Sequence, residues 1–188
     1  MKKYLIALVI TCISLCAYAQ EHLSFKGIPI TGSMTTFCQK LKAKGFVQIG
    51  SEGNVRLFKG DFTGRQATVG AVAADNGQDV FTVAVFFDEC DSWSTLVNTY
   101  EHYKDLYTEK YGKPSQCVEN NPSRSDSNTS LMYELFQGRV TYASIFDVPG
   151  GAIQLSIEKG NINDGFVLIK YQDAQNINAK RQSDLDEI

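Results

Sequence analysis

The chain is poor in the residues that catalysis and nucleotide binding use. It holds only two histidines, His22 and His102, so the commonest general acid or base has few places to act. No G-x-x-x-x-G-K or G-x-G-x-x-G pattern opens a helix after a strand, which excludes the usual phosphate cradles. Lys and Arg total 18 against 21 Asp and Glu, and no basic run of the kind that displaces counterions interrupts that balance. Nucleic acid and anionic membrane are therefore poor partners for it. There is also no apolar run near the roughly 20 residues that a membrane-spanning helix needs.

What the chain does carry begins at its first residues. Lys2 and Lys3 precede an apolar run from Leu5 to Cys16, and Ala17-Tyr18-Ala19 supplies small residues at the two positions a signal peptidase reads. The run is about 12 to 14 residues long, which suits a signal peptide and falls short of an anchor. Leu15 before Cys16 is not the small residue that lipidation requires. The expectation is cleavage after residue 19 and residence in the periplasm or outside the cell, with no membrane insertion afterwards. Cleavage removes two lysines from a formal charge of −3 and deepens the acidic balance to −5.

Of the five cysteines, Cys12 and Cys16 leave with that segment, and Cys38, Cys90 and Cys117 remain. Three thiols in an oxidising compartment allow at most one internal bridge. A Cys90–Cys117 bridge would close a loop of about 27 residues, worth roughly 3.5 kcal/mol. The segment between them reads as a helix about 18 residues long, whose ends lie some 27 Å apart, so a bridge requires the chain after Gly112 to double back. Three unpaired, buried or half-buried thiols are the other reading.

Two helices are well marked. Ser33 serves as N-cap to a stripe of Met34, Phe37, Cys38 and Leu41 that stops at Gly45. Asp91 or Ser92 caps a longer stripe of Trp93, Leu96, Val97, Tyr100, Tyr103 and Tyr107, closed by Gly112 and Pro114. Strands are expected at 55–59, 65–74, 80–88, 131–137, 140–148, 152–158 and 166–171, where β-branched and aromatic residues lie between turn formers such as Asn76-Gly77 and Pro149-Gly150-Gly151. Ile153, Leu155 and Ile157 alternate with Gln154, Ser156 and Glu158, one packed face and one wet face. The fold class that follows is α+β, an antiparallel sheet of hairpin-connected strands with helices on one face.

The match of Leu57-Phe58-Lys59-Gly60 with Leu135-Phe136-Gln137-Gly138 suggests two tandem α-β-β-β units, at 33–89 and 92–171, within one domain over 20–171. Residues 172–188 are polar and read as a C-terminal helix or tail. This order resembles the β-lactamase-inhibitor-protein type of architecture and, more loosely, small envelope proteins of the outer-membrane assembly lipoprotein kind. The opening Leu23-Ser24-Phe25-Lys26-Gly27-Ile28-Pro29-Ile30-Thr31-Gly32-Ser33 is similar to the start of uncharacterised exported proteins of gut anaerobic bacteria. The resemblance implies a protein-binding role and assigns no residue a function.

The remaining signals favour structure over chemistry. Asp88, Glu89 and Asp91 surround Cys90 ahead of the second helix; they read as negative charge at a helix N-terminus before they read as a cation site or a hydrolase centre. Asp75-Asn76-Gly77-Gln78-Asp79 lacks the closing Glu of a calcium loop and reads as a turn. Cys38 lies on an apolar stripe, and neither histidine has a partner in view. Residues 113–130 form a long polar stretch, expected to be a loop, with a glycosylation-like Asn128-Thr129-Ser130. Tyr133, Tyr142, Phe146, Phe166 and Tyr171 are more aromatics than one sheet face must use. No catalytic residue, metal or cofactor is assigned. The expectation is a non-catalytic exported module that engages a protein through an open sheet face or the 113–130 loop. Its rivals are an envelope hydrolase acting through residues 88–91 and a structural component of the envelope.

Overall fold

The computed structural model describes residues 21–74, 77–161 and 163–188. The expected signal peptide at 1–19, Asn76 of the expected hairpin turn, and Asp75 and Asn76 of the calcium-like stretch lie outside the described residues.

A short hairpin, β1 (Ser24–Phe25) and β2 (Ile28–Pro29), turns on Lys26 and Gly27, both at positive φ as a type I′ connection requires. The helix α1 (Met34–Ala43) follows, with Ser33 Oγ accepting from the Thr36 amide at 3.3 Å and Gly45 at φ 91° just past its end. Four antiparallel strands come next: β3 (Val47–Glu52), β4 (Val55–Phe62), β5 (Arg65–Ala73) and β6 (Val80–Phe86). The long helix α2 (Trp93–Tyr111) is capped by Ser92 and ended by Gly112. After it come β7 (Gln116–Asn120), α3 (Asn128–Phe136), β8 (Thr141–Val148), β9 (Gly151–Lys159) and β10 (Gly165–Asp173), and then α4 (Ala174–Asp186).

The eight strands β3 to β10 form one antiparallel sheet in the order β3-β4-β5-β6-β10-β9-β8-β7. Each helix-led set of four strands is a meander, and the two meet through their last strands, β6 and β10. The first unit is thus α-β-β-β-β, one strand longer than expected, and the second is α-β-α-β-β-β, with α3 between β7 and β8. The sequence match that suggested the repeat joins unlike places, because Leu57-Phe58-Lys59-Gly60 lies in β4 while Leu135-Phe136-Gln137-Gly138 runs off the end of α3.

Residues 131–137 are helical, not a strand. Ser127 Oγ accepts from the Ser130 amide at 3.3 Å, and Met132 and Leu135, three apart, are buried while Tyr133 and Phe136 are exposed. Nor is 113–130 one loop: β7 pairs with β8 from Gln116 to Asn120, and α3 starts at Asn128. β7 and β3 are the two edge strands and almost wholly exposed, so neither shows an apolar alternation in the sequence.

One face of the sheet carries the core. Phe58, Val69, Val85, Ile169 and Leu155 lie in register across five strands and are fully buried under the apolar stripes of α1 and α2. β5 presents Ala67, Val69, Ala71 and Ala73 inward, small residues that let α1 sit close. α3 packs beside α2 on the same side, its Leu135 against Leu96 and Gly165. α4 contacts the ends of β6, β9 and β10 but has no buried side chain.

A buried carboxylate ties the two chain ends together. Asp173, fully buried, accepts from the Leu23 amide at 2.8 Å, from His22 Nδ1 at 3.1 Å and, as N-cap of α4, from the Asn176 amide at 3.0 Å. Asn176 Nδ2 in turn donates to the carbonyls of Ile30 and Val80. Asp173→Ala leaves these donors without an acceptor and is expected to cost about 3 kcal/mol. Urea unfolding measures that loss, and hydrogen exchange should show the Leu23 amide deprotected.

Candidate functional site

Among the described residues α1, α2 and α3 all lie on the first face of the sheet and leave the second open. Residues directly opposite in an antiparallel pair share a face, so the register fixes its composition. One row runs Gly50-Leu57-Gly70-Ala84-Lys170-Gln154-Ile145-Gln116. The next runs Val47-Lys59-Thr68-Phe86-Leu168-Ser156-Ala143-Val118. Phe166 lies two residues further along β10, and its ring stands 6.0 Å from that of Phe86. Phe86 and Leu57 lean over Gly70, whose missing side chain gives them room: a Cβ there would lie 3.4 Å from Phe86 Cε2. Leu57, Phe86, Phe166, Leu168 and Ile145 are half-buried.

Charge on this face is ordered. The two lysines, Lys59 and Lys170, fall in the middle rows. The acids fall at the ends of the strands, with Glu52 and Asp147 in the row of Val55, Val72, Thr82, Gln172 and Ala152, and Asp61 and Glu158 at the opposite end. The face thus mixes half-buried apolar side chains with two central lysines and is bounded by acids at the strand ends, a mixed composition of the kind that protein interfaces use. Both sheet edges extend it with exposed apolar side chains, Val47 (65% exposed) and Ile49 (55%) on β3 and Val118 on β7.

The acidic residues expected near the second helix are present but do not converge. Asp88, Glu89 and Asp91 are all exposed. Glu89 accepts from Asn161 Nδ2 at 2.9 Å, and the Asp91 carbonyl accepts from Asn128 Nδ2 at 2.8 Å. Among the described residues no three His, Cys, Asp or Glu come together as metal ligands. Asn128 also accepts from the Trp93 amide at 2.7 Å, so the residue of the glycosylation-like motif joins the starts of α2 and α3. His102 is exposed, its ring edge-on to Tyr103. The three cysteines among the described residues are free: Cys38 buried, its thiol pushed up by desolvation, Cys90 half-buried, and Cys117 exposed on β7.

Of the five extra aromatics, Phe146 and Tyr171 belong to the core, Tyr142 packs edge-on to Trp93 and Tyr100, Tyr133 is exposed on α3, and Phe166 alone reaches the open face. A polar cluster at the β7 edge had no counterpart in the sequence reading. The Cys117 thiol donates to Glu119 Oε1 at 3.3 Å and accepts from Ser144 Oγ at 3.4 Å, and Ser144 meets Tyr100 OH at 2.6 Å. Lys104 of α2 holds Glu119 and Glu101, each at 2.6 Å. Cys117 and Glu119 are two apart, the spacing that places them on one face once 116–120 is recognised as a strand. Burial acts to raise the Glu119 carboxyl, but the hydrogen bonds from Lys104 and Cys117 outweigh it and hold it below the ordinary range.

No protein-family model, curated protein or solved structure matches the chain. Among the described residues no helix is long and apolar enough to cross a membrane.

An acid held below its ordinary value adds stability above that value and loses it as pH falls through the lowered one. Lys104→Met is therefore expected to cost about 1 kcal/mol at neutral pH. The gap should narrow as pH falls through the lowered Glu119 value, because protonation removes the ion pair from the native protein. Thermal unfolding of the pair at pH 7 and pH 3 measures it.

Proposed function

We propose that this protein is an exported, non-catalytic binding module that engages a protein partner through the open face of its sheet. The observation that carries the reading is the apolar patch of Leu57, Phe86, Phe166 and Leu168 on the open face, with Ile145 beyond Lys170 and Gln154, on strands whose other face is packed. Eight strands about 4.8 Å apart and some seven residues long present on the order of 800 Å², the area each partner contributes to a standard interface. A rigid sheet also loses little conformational freedom on binding, which leaves more of the contact energy to appear as affinity. The likeness to the β-lactamase-inhibitor-protein type that the sequence suggests favours a protein as the target. Export rests on the basic, apolar and small-residue succession at 1–19.

Capture tests this. The tagged protein, cross-linked in its own envelope and medium, is expected to retain a discrete partner. Leu168→Glu puts a charge at the centre of the face and should reduce recovery at least tenfold with the fold intact by circular dichroism. Tyr133→Glu, on exposed α3, should leave recovery unchanged. Equal recovery with all three proteins would contradict the reading.

A further inference from the structure

We propose that a second site, a cleft between the C-terminal half of α2 and the β1–β2 hairpin, binds an amphipathic carboxylate. The cleft encloses about 600 Å³, mid-range for small-ligand sites. Its wall is formed by Tyr103, Tyr107 and Tyr111, one helical turn apart on α2, with Leu106 beside them 40% exposed. The hydroxyls deepest in that wall are bonded within the protein, with one proton of the Tyr107–Tyr171 pair left over. Tyr107 and Tyr171 bond each other at 2.5 Å, and Tyr103 donates to Thr63 Oγ1, whose own proton goes to the Phe62 carbonyl. Burial keeps all three phenols protonated. The wall therefore offers ring faces and hydrocarbon, and the body of a ligand that fills it must be apolar.

The rim supplies the other half of the specificity. Lys26 and Lys110 border the cleft, and among the described residues neither has a carboxylate partner: the Lys26 ammonium donates to the Asp61 carbonyl, and that of Lys110 lies 4.8 Å from the centre of the Tyr111 ring. Glu21 is the acid at the rim, and His22 is committed to Asp173. Two unpaired ammoniums beside an apolar wall call for an anionic head on an apolar body. The mouth is also built at a conformational cost. Lys26 (φ 49°) and Thr63 (φ 54°) both occupy the left-handed region that such side chains avoid, and each is the first residue of a two-residue turn completed by a glycine. At those positions glycine would be cheaper; lysine brings a charge to the rim, and threonine brings the hydroxyl that fixes Tyr103.

Calorimetry with dodecanoate, kept below its micelle concentration, tests the site on the intact protein. One dodecanoate per chain is expected to bind saturably, and 1-dodecanol, with the same chain and no charge, at least tenfold more weakly. Leu106→Asp should abolish binding, and the charge reversal of both exposed lysines, Lys26→Glu with Lys110→Glu, should weaken it at least tenfold. Leu168→Glu, on the opposite face of the sheet, should leave it unchanged, which separates this site from the protein-binding face. Absence of saturable binding, equal affinity for the alcohol, indifference to the lysine reversal, or loss with Leu168→Glu in place of Leu106→Asp would each overturn the proposal.

Discussion

The pairing of β6 with β10 is the contact on which the architecture depends. Thr82 to Phe86 run opposite Gln172 to Leu168 without a break in register, and this seam joins two four-strand meanders that would otherwise be separate small sheets. A four-strand sheet under one helix buries a modest core. Joined at the seam, the two share one, with Val83 and Val85 of the first unit beside Ile169 and Tyr171 of the second, all buried. Five backbone pairings there thus set both the stability of the whole and the width of the sheet.

Width has a functional consequence. α1 and α2, which precede the strands of their units, and α3, inserted between β7 and β8, all pack on the same side. The side chains of the other side must then settle with water or with a partner. Antiparallel sheets tolerate a wet face, which is normally polar. Here it holds Phe86, Phe166, Leu168, Leu57 and Ile145, with Lys59 and Lys170 among them and its acids at the strand ends. So many apolar residues on an otherwise solvated face are poorly explained by folding alone, since the core is complete without them.

Much of the fold was legible in the sequence, and the failures share a cause. α1 and α2 were marked by Ser caps, by stripes at three and four residues and by terminal glycines, and both run where those signals place them. Central strands were legible because one or both of their faces are buried. β3 and β7 were not, since edge strands exposed on both sides retain no alternation, and β7 was absorbed into a supposed loop. α3 was mistaken for a strand because nine residues containing Leu131, Met132, Tyr133, Leu135 and Phe136 fit either period, and only the Ser127 cap decides between them. The open face was the least legible, because period-two spacing separates two faces without saying which one the helices cover. His22 likewise gained its partner only from Asp173, 151 positions away.

The central claim is that the open face is where a protein partner sits, and site-specific photo-crosslinking tests it most directly. A benzoylphenylalanine at position 166 points out of that face, and one at position 102 points outward from α2 on the opposite side. In cells producing each protein at its natural level, the account predicts a discrete higher-mass adduct from position 166 and none from 102. An adduct from 102 with none from 166 would contradict it.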